Sequence, residues 1–120
     1  MAKVIPIFRV FDYHKVQEFY VNWLGFKIDW EHRPDNAPFF LSASWQDVTL
    51  YLSEHHGDAS PGGKVIIECE GLRAYHKGLL DQEYKYNRPG IGPSDHDPDT
   101  LEVTVIDPFY NQIIFSEKTK

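Results

Sequence analysis

Apolar and polar residues alternate along most of the chain, and in each half the alternation is interrupted once by helical spacing. Residues 4–10 alternate as a strand does. Asp12 is a good helix N-cap, and apolar residues then recur at helical spacing over residues 13–24, after which Gly25 ends the helix. Further strands are predicted over residues 26–32, 39–44 and 48–54. The first half therefore has the predicted order β-α-β-β-β.

The same order restarts after residues 55–63, which are predicted to be a linker because they contain three glycines, a proline and small polar residues. Strands are predicted over residues 64–70, from 84–86, and over 101–106 and 112–117, with a helix over 72–82 and a long loop over 87–99. The last two strands are joined by Asp107-Pro108-Phe109-Tyr110-Asn111. Asp-Pro favours a tight turn, because proline fixes φ and cannot continue a ladder.

The two halves also match in detail. The fourth strand ends Tyr51-Leu-Ser-Glu54, and the last strand carries the same Ser-Glu pair 63 residues later, with Ile114 at the position of Tyr51. Near the start of each half, Ile5 matches Lys64 at an offset of 59. We therefore expect a single domain spanning residues 1–120 that consists of two copies of one structural module. Module one covers about 4–54 and module two about 64–117, with any site where the copies meet.

Composition narrows the classes of partner. The chain is 42% hydrophobic and 15% aromatic, which supplies an ordinary core and rings for a pocket. A net charge of -6 argues against a nucleic-acid partner, since phosphate binding needs a basic face, and is compatible with a cationic ligand. No apolar run approaches a membrane span, and the first residues lack a signal-peptide core. These features predict a cytoplasmic protein without a membrane partner.

The single cysteine, Cys69, cannot form an internal disulfide. It lies in the apolar run Val65-Ile-Ile-Glu-Cys69 and is predicted to be a buried strand residue rather than a catalytic thiol. No Ser-His-Asp elbow sequence accompanies it. We therefore predict no catalytic residue.

Four stretches of the chain are similar to one known family. They are Ile7-Phe-Arg-Val-Phe-Asp12, Glu18-Phe-Tyr20, Leu24-Gly-Phe26 and the turn at residues 107–111. In this order and spacing the sequence resembles the glyoxalase/bleomycin-resistance family of the vicinal oxygen chelate superfamily over essentially its whole length. The resemblance implies an α+β fold in which two paired βαβββ modules form a curved mixed sheet around a cavity. One departure is Tyr110, which stands where the family turn usually has glycine, so a left-handed corner here would be strained.

The resemblance also implies four metal-ligand positions, on the first and last strand of each module. Here they hold Ile5, Tyr51, Lys64 and Ile114. Aliphatic side chains have no lone pair, and a lysine ammonium has donors only. We therefore expect no metal and no cofactor. The resemblance then implies a likeness to the metal-free bleomycin-resistance proteins, which sequester a cationic drug in a groove at a dimer interface. The predicted function is sequestration of a cationic or aromatic antibiotic-like small molecule by a homodimer.

Two alternatives stay open. A displaced metal site built from Glu54, His55, His56 or His96 would make the chain a lyase or dioxygenase relative. Against it, adjacent residues at a strand end point apart, and Gly57 leaves them unrestrained. The other alternative is a binder of an unrelated metabolite.

Alternation sorts the candidate ligand contacts by face. If Tyr51 faces the cavity, so does Ser53, whereas Leu50 and Leu52 pack under a helix. Asp29 and Glu31 flank Trp30 and give an acidic edge beside an aromatic ring. Of Phe39 and Phe40, one must fill the core. The predicted ligand-binding residues are Ile5, Trp30, Phe39, Tyr51, Ser53, His96 and Ile114.

Overall fold

The computed structural model describes residues 1–35 and 37–119 and has two compact units. The first unit comprises Met1–Gly63 together with Asp107–Asn111, and the second comprises Lys64–Ile106 and Gln112–Lys120. Each unit contains one four-stranded mixed sheet and one helical segment. The predicted α+β class is therefore confirmed.

The sheet of the first unit has the order β1-β4-β3-β2, with β1 parallel to β4 and the other pairs antiparallel. Its strands are β1 (Ile7–Arg9), β2 (Lys27–His32), β3 (Phe40–Trp45) and β4 (Val48–Ser53). Helix α1 (Tyr13–Val16) begins after Asp12, whose carboxylate accepts a hydrogen bond from the Lys15 backbone N–H at 3.0 Å. The predicted N-cap is confirmed.

The helix differs from the prediction beyond Val16, because it continues as a π-helix over Gln17–Trp23. The wider turn is seen in the bond from the Leu24 N–H to the Phe19 carbonyl, five residues back. It carries three buried rings, and those of Phe19 and Tyr20 meet at 4.9 Å. Gly25 follows with φ of +87°, so the predicted glycine stop is confirmed.

The second unit repeats this plan with the sheet order β5-β8-β7-β6. Its elements are β5 (Lys64–Glu68), α2 (Leu72–Asp81), β6 (Gly92–Pro93), β7 (Thr100–Ile106) and β8 (Gln112–Lys118). The predicted strand at 84–86 is wrong. These residues form a turn, with the Asn87 N–H 3.4 Å from the Tyr84 carbonyl, after Glu83 leaves the helix at φ of +53°. The strand that completes this sheet is instead the two-residue β6, which lies within the loop predicted over residues 87–99.

The predicted repeat appears in the strand pairing. In the first unit Ile7 lies opposite Tyr51 in the parallel β1–β4 pair. In the second unit Ile66 lies opposite Ile114 in the parallel β5–β8 pair. These are the offsets of 59 and 63 that the sequence predicts, so the duplication is confirmed at the level of strand register.

Each sheet buries one face, and alternation identified that face correctly. Leu50 and Leu52 are 1% and 0% exposed, as predicted. The buried apolar side chains of the first unit include Phe8, Val10, Val16, Phe19, Tyr20, Leu41, Ala43, Leu50 and Leu52. Those of the second include Ile67, Leu72, Leu79, Val103, Val105, Ile113 and Phe115. We call the opposite face of each sheet its outer face.

The turn at 107–111 has a strained corner. Tyr110 has φ of +71°, and its side chain is 78% exposed. A left-handed conformation costs a residue with a Cβ roughly 1–2 kcal/mol more than it costs glycine. A glycine at this position would recover only part of that energy, because glycine loses more backbone freedom on folding. The strain expected from the sequence is therefore present.

Replacing Tyr110 by glycine is expected to raise the free energy of unfolding by about 0.5–1 kcal/mol. Chemical denaturation of both proteins measures the change. Tyr86→Gly is the matched control, because Tyr86 is also exposed, at 65%, but does not have a positive φ. The control should lose stability, and a loss in Tyr110→Gly would contradict the strain argument.

Candidate ligand-binding face

Three aromatic rings cluster on the outer face of the first sheet. The rings of Trp30 and Phe40 are nearly parallel, with an interplanar angle of 11° and centroids 5.8 Å apart. Tyr51 contacts both edge-on, at 5.4 Å from Trp30 and 5.3 Å from Phe40. We call these three residues the aromatic triad. Two of its members, Trp30 and Tyr51, were predicted as ligand contacts.

Strand register explains how the triad forms. Ser42 of β3 lies opposite both Trp30 of β2 and Tyr51 of β4. Because serine is small, the two rings can meet across it. Ile7 of β1 extends the row beyond Tyr51. Trp30 is 48% exposed and Ile7 38%, so the row presents apolar surface to solvent.

A β-bulge in β2 brings Trp30 to this face. Ile28 lies opposite the buried Ala43, Trp30 lies opposite Ser42, and Asp29 is the extra residue between them. Without the bulge, Ile28 and Trp30 would share a face, because strand side chains alternate with a period of two. The bulge was not visible in the sequence.

The bulge also separates the two acidic residues that flank Trp30. Asp29 accepts a hydrogen bond from the Ser44 hydroxyl at 3.0 Å, so its carboxylate lies on the outer face. Glu31 lies opposite the buried Leu41 and accepts a 2.6 Å hydrogen bond from the Tyr13 hydroxyl on the other face. The predicted acidic edge beside Trp30 is therefore correct for Asp29 and wrong for Glu31.

Phe39, which was predicted to contact ligand, lies on the buried face of the sheet and not beside Trp30. Its side chain is 2% exposed and its ring packs edge-on against Tyr13 at 5.3 Å. It lines a separate polar cavity of about 460 Å³ with Tyr13, Arg33 and Glu54. Phe40, the next residue, takes the outer position, because one step along a strand changes the face.

Ser53 is also corrected as a ligand contact. It is 0% exposed. Its hydroxyl donates to the Asp58 carboxylate at 2.6 Å and accepts from the His55 N–H at 3.1 Å. Ser53 therefore ties the segment after β4 to the sheet instead of facing solvent.

The remaining predicted residues lie apart from the triad in sequence and element. Ile5 precedes β1 and is half-buried. Ile114 is half-buried on β8, between Ile66 and Thr104. His96 is exposed in the loop after β6, where its backbone N–H donates to Ser94 Oγ at 3.2 Å. Their contact with a ligand stays a prediction.

The comparison with known protein families decides the family. A model described as "Glyoxalase superfamily protein" matches residues 1–120. The chain belongs to the glyoxalase superfamily. A search of curated proteins finds no significant sequence match to this superfamily member.

Solved structures share the fold of this glyoxalase superfamily protein at low sequence identity. TnmS3, an antibiotic binding protein from Streptomyces sp. CB03234, has a TM-score of 0.75 at 18% identity, with 98% of this chain and 97% of that chain covered. The bleomycin resistance determinant encoded on transposon Tn5 gives 0.72 at 15%, with both chains fully covered. A bleomycin-binding protein complexed with bleomycin gives 0.70 at 17%, covering 98% and 99%. At this identity the matches establish the fold alone.

The donor set in this superfamily member does not fit a metal. The four family positions hold Ile5, Tyr51, Lys64 and Ile114, of which the two isoleucines offer no lone pair. Within residues 1–35 and 37–119, no group of three or more His, Cys, Asp or Glu side chains is arranged to hold a metal ion. The alternative set of Glu54, His55, His56 and His96 therefore forms no such cluster in the described structure.

The thiol of Cys69 is poorly suited to nucleophilic catalysis. It is half-buried, and burial raises its pKa, with a further increase from the nearby Glu117 carboxylate. A raised pKa keeps the thiol protonated at neutral pH, whereas the thiolate is the nucleophile. The prediction of a buried strand residue is wrong, because Cys69 follows β5, which ends at Glu68, and is only half-buried.

A buried polar network supports the first unit and was not foreseen from the sequence. Asp107 accepts hydrogen bonds from the Tyr20 hydroxyl at 2.6 Å and from the Asn111 side-chain amide at 2.9 Å. The backbone N–H groups of Phe109 and Asn111 donate to its other oxygen, each at 2.8 Å. Burial raises the pKa of the Asp107 carboxyl, and the hydrogen bonds from Tyr20 and Asn111 oppose that rise. With every carboxylate oxygen occupied, the network is structural.

Neither helix of the described chain combines the length and apolar character that a membrane-spanning helix requires.

Proposed function

We propose that this glyoxalase superfamily member is a metal-free binding protein that sequesters a cationic or aromatic antibiotic-like molecule. The observation that carries the proposal is the aromatic triad, in which Trp30 is exposed and Phe40 and Tyr51 are half-buried. Flat aromatic or cationic groups gain dispersion and quadrupole attraction on such rings.

The exposure of Trp30 supports this use. The Trp30 ring stacks on Phe40 and is 48% exposed, and Ile7 continues the apolar row beyond Tyr51. Folding therefore leaves apolar surface in contact with water on this face. Exposed apolar patches on soluble proteins commonly mark interaction sites. A small planar ligand would cover part of this surface at little ordering cost, because the triad rings already pack against each other.

The similar structures support the class of ligand. By their descriptions, one binds an antibiotic and another is complexed with bleomycin. Transfer of that ligand class to this chain is part of the proposal.

A cytoplasmic homodimer is also proposed. A sheet face covers one side of a ligand only, whereas small-molecule sites enclose most of the ligand surface. A second copy of the chain would supply the missing wall. Sedimentation velocity tests the dimer, and a strict monomer at all concentrations with and without ligand would contradict it.

Metal content separates this proposal from the metal-dependent alternative. Purified protein is expected to contain no stoichiometric metal, and zinc or nickel titration should show no tight site, because two of the four family positions are aliphatic. Elemental analysis and calorimetry measure this. Tight binding of one ion per chain would overturn the metal-free proposal.

The binding experiment is calorimetry with bleomycin. We expect a dissociation constant on the order of 1 μM or lower. If bleomycin does not bind and another aromatic compound does, the ligand is a different metabolite and the triad still provides the site. If no aromatic compound binds, sequestration itself fails.

A further inference from the structure

The outer face carries a charged group whose position depends on the bulge in β2. Lys27 lies opposite Ser44, and Asp29 accepts a hydrogen bond from the Ser44 hydroxyl, so all three side chains lie on the face of Trp30. Ser44 and Ser42 are two residues apart on β3, and Ser42 lies opposite Trp30. Two residues of a strand span about 7 Å. The carboxylate and the indole are therefore neighbours on one surface.

The described polar contacts of the Asp29 carboxylate are few. Its Oδ1 atom accepts from Ser44 Oγ at 3.0 Å and lies 3.8 Å from Lys27 Nζ. Both of these contacts involve the same oxygen of the carboxylate. The side chain of Asp29 is 30% exposed, so the carboxylate is oriented by the serine and still reaches solvent.

Lys27 is a weak counter-ion for this carboxylate. Its side chain is 79% exposed and its nitrogen stands beyond hydrogen-bond length. Such surface pairs contribute little stability, because solvent screens them and both side chains lose freedom. A ligand cation can therefore displace the lysine.

We propose that Asp29 determines specificity on the aromatic face by selecting ligands whose cation lies about 7 Å from a flat ring, and that Lys27 competes with that cation. This inference rests on the proposed function and adds the residue that distinguishes charged from uncharged ligands. Glu31, although it also adjoins Trp30 in sequence, has no part in the selection, since it is bound to Tyr13 on the other face.

The test uses two fluorescent probes that differ in one group. Dansyl ethylenediamine carries an ammonium on a two-carbon tether, and N-propyl dansylamide replaces that ammonium with a methyl group. The wild-type protein is expected to bind the ammonium probe about 1.5–5-fold more tightly, which is the range of one partly exposed ion pair. The preference should shrink as salt is added.

Three variants assign the effect. Asp29→Asn should abolish the preference while leaving affinity for the propyl probe unchanged, because the amide oxygen still accepts from Ser44. Lys27→Gln should raise affinity for the ammonium probe about twofold, since its competitor is gone. Glu31→Gln is the control and should leave both affinities unchanged.

The outcomes separate the inference from the proposed function. If both probes bind equally well in wild type and in Asp29→Asn, the selection by Asp29 is wrong and the aromatic site stands. Loss of the preference in Glu31→Gln, with the preference kept in Asp29→Asn, would likewise overturn the role of Asp29. If neither probe binds, the inference fails, and the proposed function fails with it only if bleomycin and other aromatic compounds are not bound either.

Discussion

Replacing Asp107 by alanine is expected to lower the free energy of unfolding by about 3 kcal/mol. The carboxylate is the acceptor for the Tyr20 hydroxyl, which is completely buried, and for two backbone N–H groups of the closing turn. Alanine leaves these donors without an acceptor, and a buried unsatisfied donor costs more than the net contribution of the bond it loses. Against a typical total stability of roughly 5–15 kcal/mol, this loss is large. Urea denaturation measures it.

Asp97→Ala is the matched control. Asp97 accepts the same kinds of bond, from the Asp99 N–H and the Thr100 hydroxyl, both at 2.9 Å. These bonds lie in a loop where water replaces a lost acceptor, so only a small change is expected. Tyr20→Phe should destabilise less than Asp107→Ala, because it removes the donor and leaves the carboxylate three hydrogen bonds. Equal losses at positions 97 and 107 would show that burial of the network is not what stabilises the turn.

Replacing Trp30 by alanine is expected to weaken binding of bleomycin or of a dansyl probe about 10–30-fold. The ring is the most exposed member of the triad, at 48%, and presents the stacking surface. Aromatic anchors at the centre of binding sites typically contribute about 2 kcal/mol or more, and about 1.4 kcal/mol is a tenfold change in affinity. Stability should change little, since the ring is half in solvent. Calorimetry gives the affinity, and thermal unfolding verifies the fold.

Tyr86→Ala is the control for the loss of an exposed ring. Tyr86 is 65% exposed and contacts Tyr84 in the turn after α2, outside the triad. Its removal should leave affinity unchanged. If Trp30→Ala binds as tightly as wild type while remaining folded, the triad is not the site.

Alternation was sufficient to assign faces wherever a strand was regular. It separated Leu50 and Leu52 from Tyr51, and the offset between halves predicted that Ile114 would occupy the place of Tyr51. Both results depend only on the period of two and on the apolar pattern, which are local properties of the sequence. The faces of these regular strands could therefore be predicted in advance.

The errors at the site occur where a neighbouring strand decides the outcome. The bulge at Asp29 exists only in relation to the register of β3, so no pattern within β2 could reveal it. Phe39 is an exception, because it is in phase with the buried Leu41 and Ala43 and alternation along β3 alone assigns it to the core. Ser53 lies at the position expected, but the Asp58 hydrogen bond from the following segment buries it.

The end of helix α2 explains one further error. Tyr84-Lys-Tyr86 has the composition of a strand but follows directly on a helix end, where Glu83 has a positive φ. The chain therefore forms a turn at these residues, with the Asn87 N–H 3.4 Å from the Tyr84 carbonyl.

The placement of Asp107–Asn111 in the first unit makes that unit discontinuous along the chain. The Asn111 side chain accepts from the Gly63 N–H at 2.9 Å and donates to the Arg9 carbonyl at 2.8 Å, while Asp107 accepts from Tyr20. A ribosome adds residues from the N-terminus onward, and domains commonly fold as they emerge. Here the first unit cannot be complete until residue 111 has been translated. Although the sequence is a tandem duplication, the maturation of its first copy depends on nearly the whole chain.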